Sequence, residues 1–198
     1  MSREHLDYFN RLAPEWESVM PEEPRLAEFF ARFGIRGGER VLDVGAGTGR
    51  TSALIGNLVG ARGMVLVQDL AFGMLREARN RRNGRNRVFC CSDARHLPVR
   101  DRTFDKVVCY SVFPHVKDKP GALQEMLRVL KPDGKLLILH SSSHGILNAF
   151  HATLEDPVSG DVLPSPQAMR RLMADAGLRV TACVESDDLY WAEAVRPR

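Results

Sequence analysis

Apolar residues recur at helical spacing from the start of the chain, first as Tyr8, Phe9, Leu12 and Trp16 and then, after Pro24, as Leu26, Phe29, Phe30 and Phe33. Steps of three and four residues place such side chains on one face of a helix. Gly34, with Gly37-Gly38 beyond it, predicts the stop and turn of the second. The period then changes. Val41-Leu42-Asp43-Val44 is a short apolar run ending in glycines, and Ser52-Ala53-Leu54-Ile55 resumes a helical pattern, which reads as strand, glycine loop and helix.

The alternation repeats. Met64 to Val67, Val88 to Cys91, Phe104 to Tyr110 and Lys135 to His140 read as strands, with helices over Met74 to Ala78 and Ala122 to Leu130. Strands alternating with helices imply an α/β fold, a parallel sheet covered by helices on both faces. Ser165-Pro166 predicts the start of a helix carrying Met169, Leu172 and Met173 on one face, and Gly177 its end. Leu178 to Val184 and Leu189 to Val195, joined by Glu185-Ser186-Asp187-Asp188, then read as a hairpin closing the sheet edge.

A length of 198 residues suits one domain, taken here as 1–198, and 44% hydrophobic with 27% charged residues is an ordinary globular composition. No apolar run reaches the roughly 20 residues that span a bilayer, and the opening lacks the apolar stretch of a signal peptide, so a cytoplasmic protein with no membrane span is expected. The net charge of +3 is modest, and much of the basic charge lies between Arg76 and Arg87. That stretch could meet a polyanion, but a solvated helix end and turn is the preferred reading. Cys90, Cys91, Cys109 and Cys183 lack metal-ligand spacing. The adjacent pair could chelate a soft metalloid, yet strand alternation sends its members to opposite faces, so small buried hydrophobes are expected and no metal.

The loop Asp43-Val44-Gly45-Ala46-Gly47-Thr48-Gly49 carries the chemistry. Dinucleotide sites need a third glycine where this chain has Arg50. An acid at Asp43 would repel a pyrophosphate but suits a ligand carrying an ammonium and a sulfonium, as S-adenosylmethionine does. Asp69 ends the second strand, where a carboxylate can accept from a ribose diol. Asp93-Ala94 ends the third, where the carboxylate could meet an adenine amino group and a backbone N–H a ring nitrogen. Each of these aspartates could instead cap a turn or helix.

Five blocks in order, Val41 to Gly49, Gln68-Asp69-Leu70 with Met74-Leu75, Ser92-Asp93-Ala94, Leu97-Pro98 with Phe104-Asp105, and Arg128 to Gly134, resemble the class I S-adenosylmethionine-dependent methyltransferases, in particular the small-molecule branch that includes the quinone-biosynthesis C-methyltransferases. The resemblance implies a Rossmann-like, doubly wound sheet of seven strands with an antiparallel last strand. It implies that Asp43 with Gly45, Ala46, Gly47, Thr48 and Gly49 holds the methionine part, Asp69 the ribose, Leu70 and Met74 the adenine surroundings and Asp93 with Ala94 the adenine edge, with Tyr110 and Ser111 closing the other side. Residues 1–20 resemble the family's N-terminal helical cover. Gln68 stands where an apolar residue is commoner in the family, and Asp133 where glycine is usual.

The implied activity is methyl transfer to a small-molecule acceptor at oxygen, nitrogen or carbon, with S-adenosylhomocysteine as product. A proton acceptor is needed only if the acceptor atom must lose a proton. His115 follows the fourth strand and His140 ends the fifth, both at the carboxyl edge where such sheets bind ligands. His140 is the first candidate and His115 the second, with a pocket-shaping role for His115 as the alternative; His144 lies just beyond. Ile146, Leu147 and Phe150 could line an acceptor pocket or pack on the sheet. A nucleic-acid methyltransferase using the Arg76 to Arg87 stretch is the alternative enzyme. Tyr110-Ser111-Val112-Phe113-Pro114 in place of an Asn/Asp-Pro-Pro-aromatic run argues against it. A non-catalytic S-adenosylmethionine-binding module is the alternative from another class.

Overall fold

The computed structural model describes residues 2–20, 22–80 and 84–198. Seven strands, β1 (Arg40–Val44), β2 (Met64–Asp69), β3 (Arg87–Cys91), β4 (Phe104–Tyr110), β5 (Leu130–His140), β6 (Arg179–Ser186) and β7 (Leu189–Val195), form one sheet in the order β3-β2-β1-β4-β5-β7-β6. The first five are mutually parallel, and β7 runs antiparallel to both β5 and β6. The terminal hairpin therefore closes the sheet as expected, with β6 rather than β7 at the edge.

Period-two alternation explains why both faces need helices. Leu42, Val44, Val107, Cys109, Leu136 and Ile138 point to one side and pack on α6 (Lys119–Val129) and α8 (Pro166–Asp175) through Leu123, Met126, Met169 and Met173. Val41, Val65, Val67, Val108, Leu137 and Leu139 point to the other side. There they meet α3 (Leu26–Phe33), α4 (Arg50–Val59) and α5 (Phe72–Asn80) through Phe30, Phe33, Ile55, Leu75 and Ala78. Burying each such large side chain contributes roughly 1.5–3 kcal/mol. The remaining helices are α1 (Arg3–Leu12), α2 (Trp16–Val19) and α7 (His144–His151).

The stop signals act as expected. Gly34 ends α3 in the left-handed conformation at φ 80°, and Ser165 caps α8 by accepting from the Ala168 N–H, with Pro166 in the first turn. One boundary differs: β5 starts at Leu130 rather than Lys135, because its pairing with β4 jumps from Phe104↔Leu130 to Lys106↔Lys135 across an irregularity. Asp133 sits in that irregularity at φ 62°, a left-handed conformation that aspartate tolerates better than most residues, which accounts for an acid at a position where glycine is usual.

All four cysteines are free, with Cys109 and Cys183 buried, Cys90 half-buried and Cys91 exposed, so the expectation of a buried pair fails at Cys91. Of the basic stretch from Arg76 to Arg87, Arg81, Arg82 and Asn83 lie outside the described residues. Among the described residues no helix is long and apolar enough to cross a membrane.

The strand order reverses direction between β1 and β4. In open parallel sheets the crevice outside the carboxyl ends at such a point is where ligands bind. The glycine loop leaves β1 there.

Candidate active site

Gly45, Gly47 and Gly49 all have positive φ, at 62°, 55° and 84°. A side chain on Gly45 would also collide with Val112, 2.7 Å from its Cβ, and one on Gly49 with the Ala78 Cβ at 2.9 Å. Conformation and space thus both demand glycine at these two ends of the loop. Backbone bonds hold it in place: the Ala46 N–H donates to the Gln68 carbonyl at 2.8 Å and the Gly49 N–H to the Ala46 carbonyl at 3.0 Å. Gln68, the residue that departs from the family pattern, is buried and bridges two loops. Its Oε1 accepts from the Gly45 N–H at 3.3 Å and its Nε2 donates to the Ser92 carbonyl at 2.5 Å, tying the glycine loop to the end of β3.

Asp43 lies buried behind the loop. Its Oδ2 accepts from the Ser52 hydroxyl of α4 at 2.5 Å, and its Oδ1 has no partner. Burial, with the charge of Asp69 adding and the Ser52 hydrogen bond opposing, pushes this carboxyl up to about 7. Asp69 is also buried and raised by desolvation. Its Oδ2 accepts from the Gly47 N–H at 2.9 Å and its Oδ1 from the Ala71 N–H at 2.8 Å, just before α5. Asp69 therefore does cap the turn into α5, and each oxygen keeps a further lone pair.

Two adjoining recesses share walls at Gly45, Asp69, Val112 and His115. One continues to Leu70, Asp93, Ala94 and Arg95, the other to Phe9, Trp16, Gly47, Met74 and Ser111. Met74 thus lies at the end away from Leu70 and Asp93. Tyr110 is in neither wall; it packs on the Trp191 side of the sheet, and its hydroxyl lies 3.5 Å from the Ser141 Oγ. Asp93 lines the first recess with its carboxylate taken by Arg95, at 2.7 Å to Nη2 and 3.0 Å to Nε. That guanidinium holds Asp93 down to about 2.

The first helices cover the second recess. The Phe9 ring meets Trp16 at 5.9 Å and His115 at 5.0 Å, edge to face. Glu17 accepts from the Thr48 hydroxyl and from Arg50 Nη2 at 2.5 Å, pinning α2 to the glycine loop, and the Gly73 N–H donates to the Asn10 side chain at 2.7 Å.

The two candidate histidines part company. His140 is buried beneath Tyr190, whose ring stands edge to face at 6.0 Å, and it reaches neither recess. Its Nε2 has no partner. Burial first, then the neighbouring His115 and His151, push it down to about 3. His144 pairs with Glu185 at 2.8 Å. Ile146 and Phe150 are about half exposed, while Leu147 packs on the core.

His115 lines both recesses. Its Nδ1 lies 2.7 Å from Asp161 Oδ2. Asp161, fully buried and absent from any motif, also receives His5 Nε2 of α1 at 3.0 Å and Lys117 Nζ at 2.7 Å, while His151 Nδ1 contacts its carbonyl at 2.8 Å. Burial works to raise Asp161, but the hydrogen bonds from His115 and Lys117 overcome it and hold the carboxyl well below the usual range. Burial lowers His115 despite the opposing pull of Asp161. Sequence reasoning missed this cluster. Its only signal was chemical, an acid in an otherwise featureless segment, because its members come from residues 5, 115, 117, 151 and 161 with no common period.

Residues 42–138 match a family model described as methyltransferase domain. The ubiquinone/menaquinone biosynthesis C-methyltransferase UbiE of Haemophilus ducreyi is 41% identical over 113 residues, 55% of this chain and 44% of that protein. The chain thus spans under half the length of this curated relative. Among solved structures, the S-adenosylmethionine-dependent methyltransferase of Aquifex aeolicus superposes with a TM-score of 0.74 at 23% identity, over 96% of this chain and 98% of that one. Phosphoethanolamine N-methyltransferase 2 of Haemonchus contortus, in complex with S-adenosyl-L-methionine, gives 0.71 at 18% identity, over 88% and 52%. With the glycine loop at the sheet's switch point and the acids at the ends of β2 and β3, residues 42–138 thus carry a methyltransferase domain on a fold shared with S-adenosylmethionine-dependent methyltransferases.

Proposed function

We propose that the chain transfers a methyl group from S-adenosylmethionine to a small-molecule acceptor, releasing S-adenosylhomocysteine. The observation that carries the reading is the convergence of the glycine loop, Asp69, the Asp93-Ala94 turn and His115 on one cleft at the switch point of the sheet. The residues present fit the cofactor. Asp43 has an unpartnered oxygen behind the loop, and Asp69 keeps lone pairs toward the cleft, where two hydroxyls of a ribose would be accepted.

In this reading the loop from Gly45 to Gly49, with Asp43 behind it and Trp16 above it, holds the methionine part, and Met74 belongs to that end. Asp69 takes the ribose, Leu70 and Ala94 flank the adenine, and Asp93 acts as an ion pair with Arg95 rather than as a bare carboxylate. The bound cofactor supplies a methyl group already activated by a sulfonium, so the protein's part is to hold an acceptor in line with it and keep water out. The segment up to residue 20 is a cover on a single domain, and the setting is cytoplasmic.

Isothermal titration with S-adenosylmethionine, S-adenosylhomocysteine and NAD tests the reading. Micromolar binding of the first two without NAD is expected. Binding of NAD alone would overturn it.

A further inference from the structure

We propose that the outer edge of β3, with the groove beside it, is a docking site for an extended acidic segment of another protein, added to the seven-stranded sheet as a further strand. β3 ends the sheet, and among the described strands it pairs with β2 alone, Arg87 to Cys91 lying against Val65 to Asp69. The Val65 N–H donates to the Asn86 carbonyl, and the Ser92 N–H donates to the Asp69 carbonyl. In a parallel ladder alternate residues bond to a given neighbour, so the even-numbered positions from 86 to 92 face β2. The N–H and C=O groups of Arg87, Phe89 and Cys91 therefore point away from the sheet. Such a row is a template for strand addition, in which backbone bonds give affinity and the flanking side chains give selectivity.

The flanking side chains select the occupant. On one face of the edge, Phe89 and Cys91 line a groove together with Phe72, Leu75, Arg76 and Arg79 of α5. Phe72 is 63% exposed, and Arg76 and Arg79, one turn apart on the helix, are both exposed. On the other face Val88 is 50% exposed. Apolar side chains thus stand bare on both faces of an edge that most proteins would guard. No acid lines the groove, and Arg85 just before β3 is exposed as well. Glu77, 3.6 Å from Arg76, offsets part of this charge. Two copies of this chain joined edge to edge would bring both sets of arginines together, so like charges oppose that pairing. A single-stranded nucleic acid would use the arginines and rings but leave the backbone groups of β3 unused. An acidic strand uses all of them: its carboxylates on the α5 face meet Arg76 and Arg79, and its apolar side chains, at the alternate positions, cover Val88. The groove is separate from the cofactor cleft. Cys91 Sγ lies 3.5 Å from the Leu70 carbonyl, with Cys91 lining the groove and Leu70 the cleft.

The test selects short peptides from a random phage-displayed library on the full chain. Selected sequences are expected to alternate acidic and apolar residues, and the synthetic peptides to slow hydrogen exchange at the Arg87, Phe89 and Cys91 amides by about tenfold or more. Two variants separate the parts of the site. Cys91→Pro removes one outward N–H and leaves the ladder to β2 intact, while Arg76→Glu with Arg79→Glu reverses the charge of the groove. Each should lose about tenfold or more in peptide affinity by calorimetry, at unchanged S-adenosylhomocysteine affinity. If Cys91→Pro does not fold, amide exchange in the wild type and the charge-reversed variant decide. Failure to select any peptide, selected peptides without acids, or amides of β3 left unprotected by a bound peptide would overturn the inference. So would either rival occupant. A fluorescent oligothymidylate bound by wild type and Cys91→Pro but not by the charge-reversed variant would give the groove to nucleic acid, and a dimer in sedimentation that Cys91→Pro dissolves would give the edge to a second copy.

Discussion

Replacing His140 by leucine should make the protein more stable and less acid-sensitive. The imidazole is buried at the end of β5 with an unpartnered Nε2, and leaving such an atom unsatisfied costs about 1–3 kcal/mol. Leucine has a similar volume and no polar atom, so at pH 7 the variant should gain about that much. Acid adds a second effect. Burial depresses the folded-state value from 6.5 to about 3, so the unfolded chain takes up the proton first. The neutral ring's compatibility with the fold is complete above 6.5 and is lost as pH falls from there toward 3. At pH 5 the unfolded chain is favoured over the span between 6.5 and 5, which at 1.36 kcal/mol per unit is about 2 kcal/mol. Urea unfolding at pH 7 and pH 5 measures it: the wild type should drop by about 2 kcal/mol more than His140→Leu, with equal slopes. The same drop in both proteins, or a variant weaker than wild type at pH 7, would refute the argument. S-adenosylhomocysteine affinity should not change, because His140 walls neither recess.

The loop glycines should rank by space rather than by φ alone. Gly47→Ala carries only the left-handed cost of about 1–2 kcal/mol, since its nearest neighbour would be Trp16 Nε1 at 3.8 Å. Gly49→Ala adds a further 1–3 kcal/mol or so of overpacking against Ala78, so thermal melts should order wild type, Gly47→Ala, Gly49→Ala. Asp69→Ala should weaken S-adenosylhomocysteine binding by about 1.5–3 kcal/mol in calorimetry; unchanged affinity would remove Asp69 from the site. Gln68→Leu frees the Gly45 N–H and the Ser92 carbonyl and should cost about 2 kcal/mol in urea unfolding.

The alternating layers were legible because period two and period 3.6 follow directly from burial, and because the stops were made by residues of one conformational meaning, such as Gly34 and Ser165-Pro166. The acids at strand ends were legible for the same reason: a strand's end is local. The role of His140 was not. Position at a carboxyl edge says nothing about which way a ring turns, and the His140 ring meets Tyr190, fifty residues on, edge to face. The start of β5 was missed because its irregular pairing with β4 carries Lys131 to Gly134, residues that read as a turn, inside the strand. Asp161 could not be found at all, since what makes it a hub is its own burial against three partners distant in sequence.

The contacts of α1 and α2 have a consequence for assembly. Residues 5 to 17 precede in the chain everything they fasten to, Thr48 and Arg50, then Gly73, then Asp161, more than 140 residues on. That segment can therefore dock fully only after Asp161 has emerged, and a nascent chain can hold β1 and its glycine loop while the cleft stands unroofed.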